Sequence, residues 1–428
     1  IDPGHSVSES DETNNQALAA VPFEVAFTVG QIPGRSPVPA LERIDADGTR
    51  FTLAISGPGS ATLLPDAGGY RLTVSGSDAT TRITLTGGGG DGRITLSGLE
   101  AERSLGSLTA PIAVLTGYAR FTQVNTLSLA SIDAGARIEG ASLANLTVTG
   151  DARGEWRLSG AGATGFILGT VQIGGTLAGL WAINGRANSV SAQTTAADWR
   201  ANVRAPLTQL VVRGDASGQL AAAALQLLQV GGSLRGMTVR IGADLGSDAA
   251  LGGSGEAADT FRAGTLARLR VTGHLDNSVI LVGLDPRNGR DLDGDDQVLG
   301  SASANRIQEL LVGGRLTGET RIIAPAFPDS VRVNGALVSP ASLSALSVTA
   351  PDRQAPLLSA ALANDTGASA SDRLTRDPTI AGTLTETGGG RRLWASFAAS
   401  AASFVDVSSA LQPDGHFVLD AARLAAVH

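Results

Sequence analysis

The chain has 428 residues, with 55 glycines, no cysteine, one methionine and 4% aromatic residues. Glycine is about twice its usual share of roughly 7%, yet 43% of the residues are apolar, enough for a packed core. The missing cysteines exclude disulfide scaffolds, thiol nucleophiles and cysteine-bound zinc, and a net charge of −8 argues against nucleic acid as the main partner.

No apolar run reaches the roughly 20 residues that a membrane-spanning helix needs. Every positive charge is an arginine, a pattern of GC-rich bacterial genomes. The chain begins at Ile1 and its one methionine is Met237, so the natural start and any signal peptide are expected outside it.

Residues 1–22 contain Asp2-Pro3-Gly4 and the acidic string Glu9-Ser10-Asp11-Glu12-Thr13-Asn14-Asn15. The string resembles the closing strand of a CARDB-type module, an Ig-like adhesion-related domain of bacterial surface proteins. Residues 23–104 are rich in short strands, predicted at Arg50–Ile55, Tyr70–Val74, Arg82–Thr86 and Arg93–Leu96 and punctuated by glycine turns. Gly87–Gly90 is not a phosphate loop, because neither the required Lys or Thr nor a helix follows. This segment is expected to cap sheet edges that would otherwise lie open.

Residues 105–352 are organised by an internal repeat, apolar-x-x-apolar-x-apolar-x-Gly. It reads Leu143, Leu146, Val148, Gly150, and then Leu168, Val171, Ile173, Gly175. Further copies start at Leu207, Leu225, Leu266 and Ile307, and weaker ones occur around Leu127, Val190, Val331 and Leu346. Four residues after each strong glycine stands Gly154, Gly179, Gly218, Gly236, Asn277 or Gly318, types that tolerate positive φ and so predict a turn at a fixed place. Copies lie as close as 18 residues (Leu207 and Leu225), too short a period for helical-pair repeats of roughly 33 to 47 residues. Leucine-rich repeats would need an Asn or Cys ladder, and a sandwich array would not keep this phrase in register. The period therefore predicts a parallel β-helix or solenoid, right-handed by analogy, with aliphatic side chains stacked in internal columns.

Two insertions, 242–264 and 283–305, interrupt the repeat at equal offsets and are expected to leave the same corner side by side. Each nets −3: Asp244, Asp248, Glu256 and Asp259 against Arg262, then five aspartates against Arg287 and Arg290. Those five, Asp285, Asp291, Asp293, Asp295 and Asp296, form the candidate metal site, for Ca²⁺. Alternate aspartates around Gly294 can present hard oxygens to one side, which suits this ion. The match to an EF-hand loop is incomplete, since Asp296 stands where a glycine belongs and Ala302 where a Glu belongs. The other reading is a solvated acidic loop.

A calcium-dependent polysaccharide lyase could use such aspartates with Arg287 or Arg290, but those sites normally sit on strand surfaces, and no fixed signature is present. His5, His274, His416 and His428 are scattered, with no catalytic constellation among them. Trp156 and Trp181 sit at equivalent places and predict a stacked pair, buried or displayed to sugars. A Thr-x-Thr ice-binding array is not indicated by Thr147 and Thr149.

Residues 353–428 carry Ala363-Asn364-Asp365-Thr366-Gly367, Asp377-Pro378-Thr379-Ile380-Ala381-Gly382-Thr383 and Pro413-Asp414-Gly415-His416-Phe417. These resemble the opening strands of Ig-like repeats in very large secreted bacterial proteins, and the Val-x-Gly-Gly-x-Leu-x-Gly phrase is similar to solenoid segments of the same proteins. The resemblance implies an all-β chain, a β-helix flanked by partial Ig-like β-sandwich modules, lying outside a bacterial cell. It also implies a non-catalytic stalk, spacer or filament segment. Expected partners are neighbouring modules or subunits of the same surface protein, or a polysaccharide, host or matrix surface. A broken C-terminal module completed by the N-terminal strand of the next subunit would make a filament.

Overall fold

A computed structural model describes residues 26–428, except 67, 161, 163–164, 293–295, 302, 329–330, 340–345, 348–356, 367–374, 386–392, 397–403, 413 and 428. The chain is all-β: among the described residues the one α-helix is Ala421–Ala425. The CARDB-like string at residues 1–22 lies outside the described residues.

Four antiparallel pairings open the fold. Phe27–Gly30 pairs with Ser60–Asp66, which pairs with Gly69–Ser75. Ala40–Ile44 pairs with Arg50–Ser56, which pairs with Arg82–Gly88. Alternation aims Phe51, Leu53, Ile83 and Leu85 inward, where all four are buried. The pairing then changes sense. Gly69–Ser75 joins Ile94–Ala101 in parallel, and Arg82–Gly88 joins the long strand Leu105–Ile132 in parallel.

From there successive copies of the repeat pair in parallel and in register. Leu127, Leu146, Val171, Val190, Leu210, Leu228, Leu269 and Leu310 form one continuous column of partners. Beside it Ala192, Val212, Val230, Val271, Val312 and Val333 form another, and Val148 pairs with Ile173. The columns are buried apart from the partly exposed Val333. The phrase works because its three apolar positions face inward on every copy, so each new strand buries side chains worth about 1.5–3 kcal/mol apiece against the previous one.

A second parallel ladder runs through Arg137–Gly140, Glu155–Leu158, Leu180–Ile183, Arg200–Val203, Gln219–Ala222, Thr238–Ile241 and Val279–Val282. A short third ladder joins Leu234–Arg235, Leu275–Asp276 and Leu316–Thr317. One apolar core runs from Val29 to Val331 through the opening strands and the ladders.

The turn after the repeat glycine is left-handed at Gly179, Gly218, Gly236, Asn277 and Gly318. Gly154 departs from this expectation and keeps an ordinary φ. It is held by close approach instead, since a Cβ there would lie 2.7 Å from the Ala136 carbonyl oxygen.

Beyond residue 357, Leu393, Val407, Phe417, Leu419 and Leu424 form a separate small core. Leu357–Leu362, Ile380–Thr385 and His416–Leu419 make its antiparallel sheet. The closing helix is absent from the strand expectation; Asp420 caps it by accepting the Arg423 N–H at 2.9 Å.

Candidate functional site

Both insertions fold back as small hairpins: Ala243–Asp244 pairs with Thr260–Phe261, and Leu284–Asp285 with Gln297–Val298. Each lays an apolar patch on the outside of the second ladder. The first covers Ala221 with Ala243 and Leu245; the second covers Leu281 and Ile323 with Leu284. They meet at Asn305, whose Oδ1 accepts the Gly264 N–H at 2.6 Å.

Polar anchors fix the first hairpin. Asn202 donates to Asp244 and to the Gly246 carbonyl, each at 2.7 Å, and accepts the Leu245 N–H at 3.1 Å. Arg204 adds an ion pair to Asp244 at 2.9 Å. Arg240, in register with Ala221 and hence two strands from Asn202, reaches the second hairpin by an ion pair to Asp291.

Asp259 lies in the same neighbourhood. Burial pushes its carboxyl above the ordinary carboxylate range, with Asp248 and Asp244 adding to the rise. The Gly252 N–H, donating to it at 2.6 Å, and the Arg240 charge act in the opposite direction.

Of the candidate calcium set, Asp291 pairs with Arg240. Asp285 accepts the Arg287 N–H at 2.9 Å, closing its own turn, and Asp296 accepts the Leu292 N–H at 2.7 Å. Asp293 and Asp295 lie outside the described residues. No group of three or more metal-ligating side chains occurs among the described residues.

Trp156 and Trp181 do stack, with centroids 4.0 Å apart and planes at 16°. Trp199 meets Trp181 edge-on at 6.0 Å. All three are no more than 1% exposed, which removes the display to sugars.

His274 is exposed but engaged, its Nδ1 accepting the Arg315 N–H at 2.9 Å. It belongs to a relay at the residue after the repeat glycine. Asp151 accepts from the Thr176 N–H at 2.8 Å, Asp215 from Ser233 at 2.7 Å, and Ser233 Oγ from His274 at 3.0 Å. In each case a side chain accepts a hydrogen bond from the main-chain N–H of the next copy. The repeat phrase alone does not mark it, although Asp, Ser and His after the glycine are all acceptors.

A groove lies over the second ladder. One stretch of about 710 Å³ is lined by Glu100, Glu102, Arg120, Glu139, Arg157 and Ser159. The next, of about 300 Å³, shares Arg157 and Ser159 and continues past Asn184, Asn202 and Arg204 to Glu256 of the first insertion.

Comparison with family models, curated proteins and solved structures returns no match. Among the described residues no helix is long and apolar enough to cross a membrane.

Proposed function

We propose that the three ladders are the faces of stacked coils, a parallel β-helix, and that the chain is a non-catalytic stalk, spacer or filament segment of a bacterial surface protein. The observation that supports this reading is the eight-residue column from Leu127 to Leu310, paired in parallel with no break. Seven steps at roughly 4.8 Å make about 34 Å of regular stack. Such a stack needs no disulfide, cofactor or aromatic cluster to be stiff, and the apolar core is continuous along it. The insertions are pinned to one face by paired charges and serve as side features of the rod.

Small-angle scattering tests the shape: a rod-like cross-section region is expected, and a compact globular profile overturns the reading. Incubation with acidic polysaccharides tests the non-catalytic part. Unsaturated products absorbing in the ultraviolet would replace the stalk by a lyase.

A further inference from the structure

We propose that the groove over the second ladder binds a single chain of an uncharged, hydroxyl-rich linear polysaccharide. It deepens the stalk reading by naming what the rod holds, and takes from it only the register of six strands.

The groove follows one column of paired residues, Glu100, Arg120, Glu139, Arg157, Ala182 and Asn202. Five steps of roughly 4.8 Å give it a length of about 24 Å. Its far end is walled by Gly246, Ser247 and Glu256. The Asn202 and Arg204 bonds to the insertion hold that wall in place before any ligand arrives. A long, shallow and open surface strip with repeating chemistry fits an extended polymer better than a compact small molecule.

Charge selects the class. Glu100, Glu102, Glu139 and Glu256 line the groove together with Arg120, Arg157 and Arg204, so a polyanion or a polycation would meet both signs along its length. A hydroxyl can use both signs at once: it donates to a carboxylate and accepts from a guanidinium. The Arg120–Glu139 pair, 3.1 Å long with side chains 61% and 34% exposed, is of the weak surface kind. Hydroxyls can therefore insert at little cost. Gly140, Ala141 and Ala182 keep the floor low between the charged rows.

A peptide is the less favoured occupant. The column's inner strands, from Arg137–Gly140 to Leu180–Ile183, are paired on both sides, which leaves no free edge for an added strand.

The test is affinity electrophoresis of the full chain in gels containing β-glucan, xylan, galactomannan or dextran, with polygalacturonate, heparin and unfolded casein as contrasts. Retardation by at least one neutral polysaccharide is expected. Ala182→Trp, which fills the floor, and Glu139→Gln with Arg157→Gln, which leave the floor open, should each weaken it about tenfold. Gln209→Ala on the first ladder should not change it. Melting temperatures establish that each variant is folded. No retardation by any neutral polysaccharide, retardation by the polyanions or casein alone, or retardation that survives both groove variants overturns the proposal. A rod-like scattering profile with no binding would sink the groove and keep the stalk; binding by a compact particle would do the reverse.

Discussion

Arg240 and Asp291, 51 residues apart in sequence, form an ion pair whose side chains are only 11% and 15% exposed. It fastens the second insertion to the ladder strand that precedes the first. Pairing at this depth does little more than offset desolvation, but removing one partner strands the other's charge. Asp291→Ala is therefore expected to cost about 3 kcal/mol, read from denaturant midpoints. Arg240→Met combined with Asp291→Leu should cost less than Asp291→Ala alone. Since an arginine holds Asp291, the deficit should be equal in calcium and in EGTA. A deficit seen only in calcium would return this aspartate to an ion site.

Asp259 gives a pH dependence of unusual sign. Its folded carboxyl sits above the ordinary value of 3.8. As pH rises past 3.8 the unfolded chain ionises first, so this residue's contribution declines until the folded pKa is passed. At pH 7 the full cost is present. Asp259→Asn keeps an acceptor for the Gly252 N–H, so it should raise the melting temperature by about 1–3 °C at pH 7. That gain should vanish below pH 3.8, and an unchanged or lower melting temperature at pH 7 would refute the assignment.

The ladder columns were legible in the sequence because Leu, Val and Ile recur at the same three places of each copy, and period-2 alternation fixes which face is buried. The side-by-side insertions followed from their equal offset. The pairing of charges did not follow. Asn202 and Arg240 look like ordinary strand residues, and their partners lie 42 to 51 positions away, where no periodicity reports. Gly154 is not legible as a close-approach glycine, because in sequence it looks the same as one demanded by φ. The terminal helix hid in a short Asp420-Ala421-Ala422 start, too brief to show a 3.6-residue period.

The buried indoles make the core testable by fluorescence. Trp156, Trp181 and Trp199 are almost wholly enclosed, whereas Trp394 is 42% exposed. Trp394→Phe is expected to move the emission maximum to the blue, remove most acrylamide quenching and leave the main melting transition unchanged. Trp181→Ala takes away both ring contacts and opens a cavity between neighbouring strands, at a cost of about 3–5 kcal/mol. If acrylamide still quenches the Trp394→Phe protein strongly, the indole column is not interior.

The relay after the repeat glycine predicts how neighbouring copies are locked together at their ends. Asp215 accepts from both Arg235 and the Ser233 N–H, and these bonds, the arginine first, hold its carboxyl below the ordinary range. A depressed carboxyl stabilises the fold above its unfolded value of 3.8, and that contribution fades as pH falls through the lower folded value. Asp215→Ala should thus cost about 1 kcal/mol at pH 7, more than Asp215→Asn, which can still accept the Ser233 proton. The deficit should shrink in acid. At the other end of the relay, the bond from Arg315 requires a lone pair on His274 Nδ1. His274→Ala should speed amide exchange at Arg315 while leaving Leu310, inside the ladder, unchanged. Equal acceleration at both amides would mean that the histidine supports the whole ladder, and equal exchange before and after substitution would mean that the relay bond does not protect this turn.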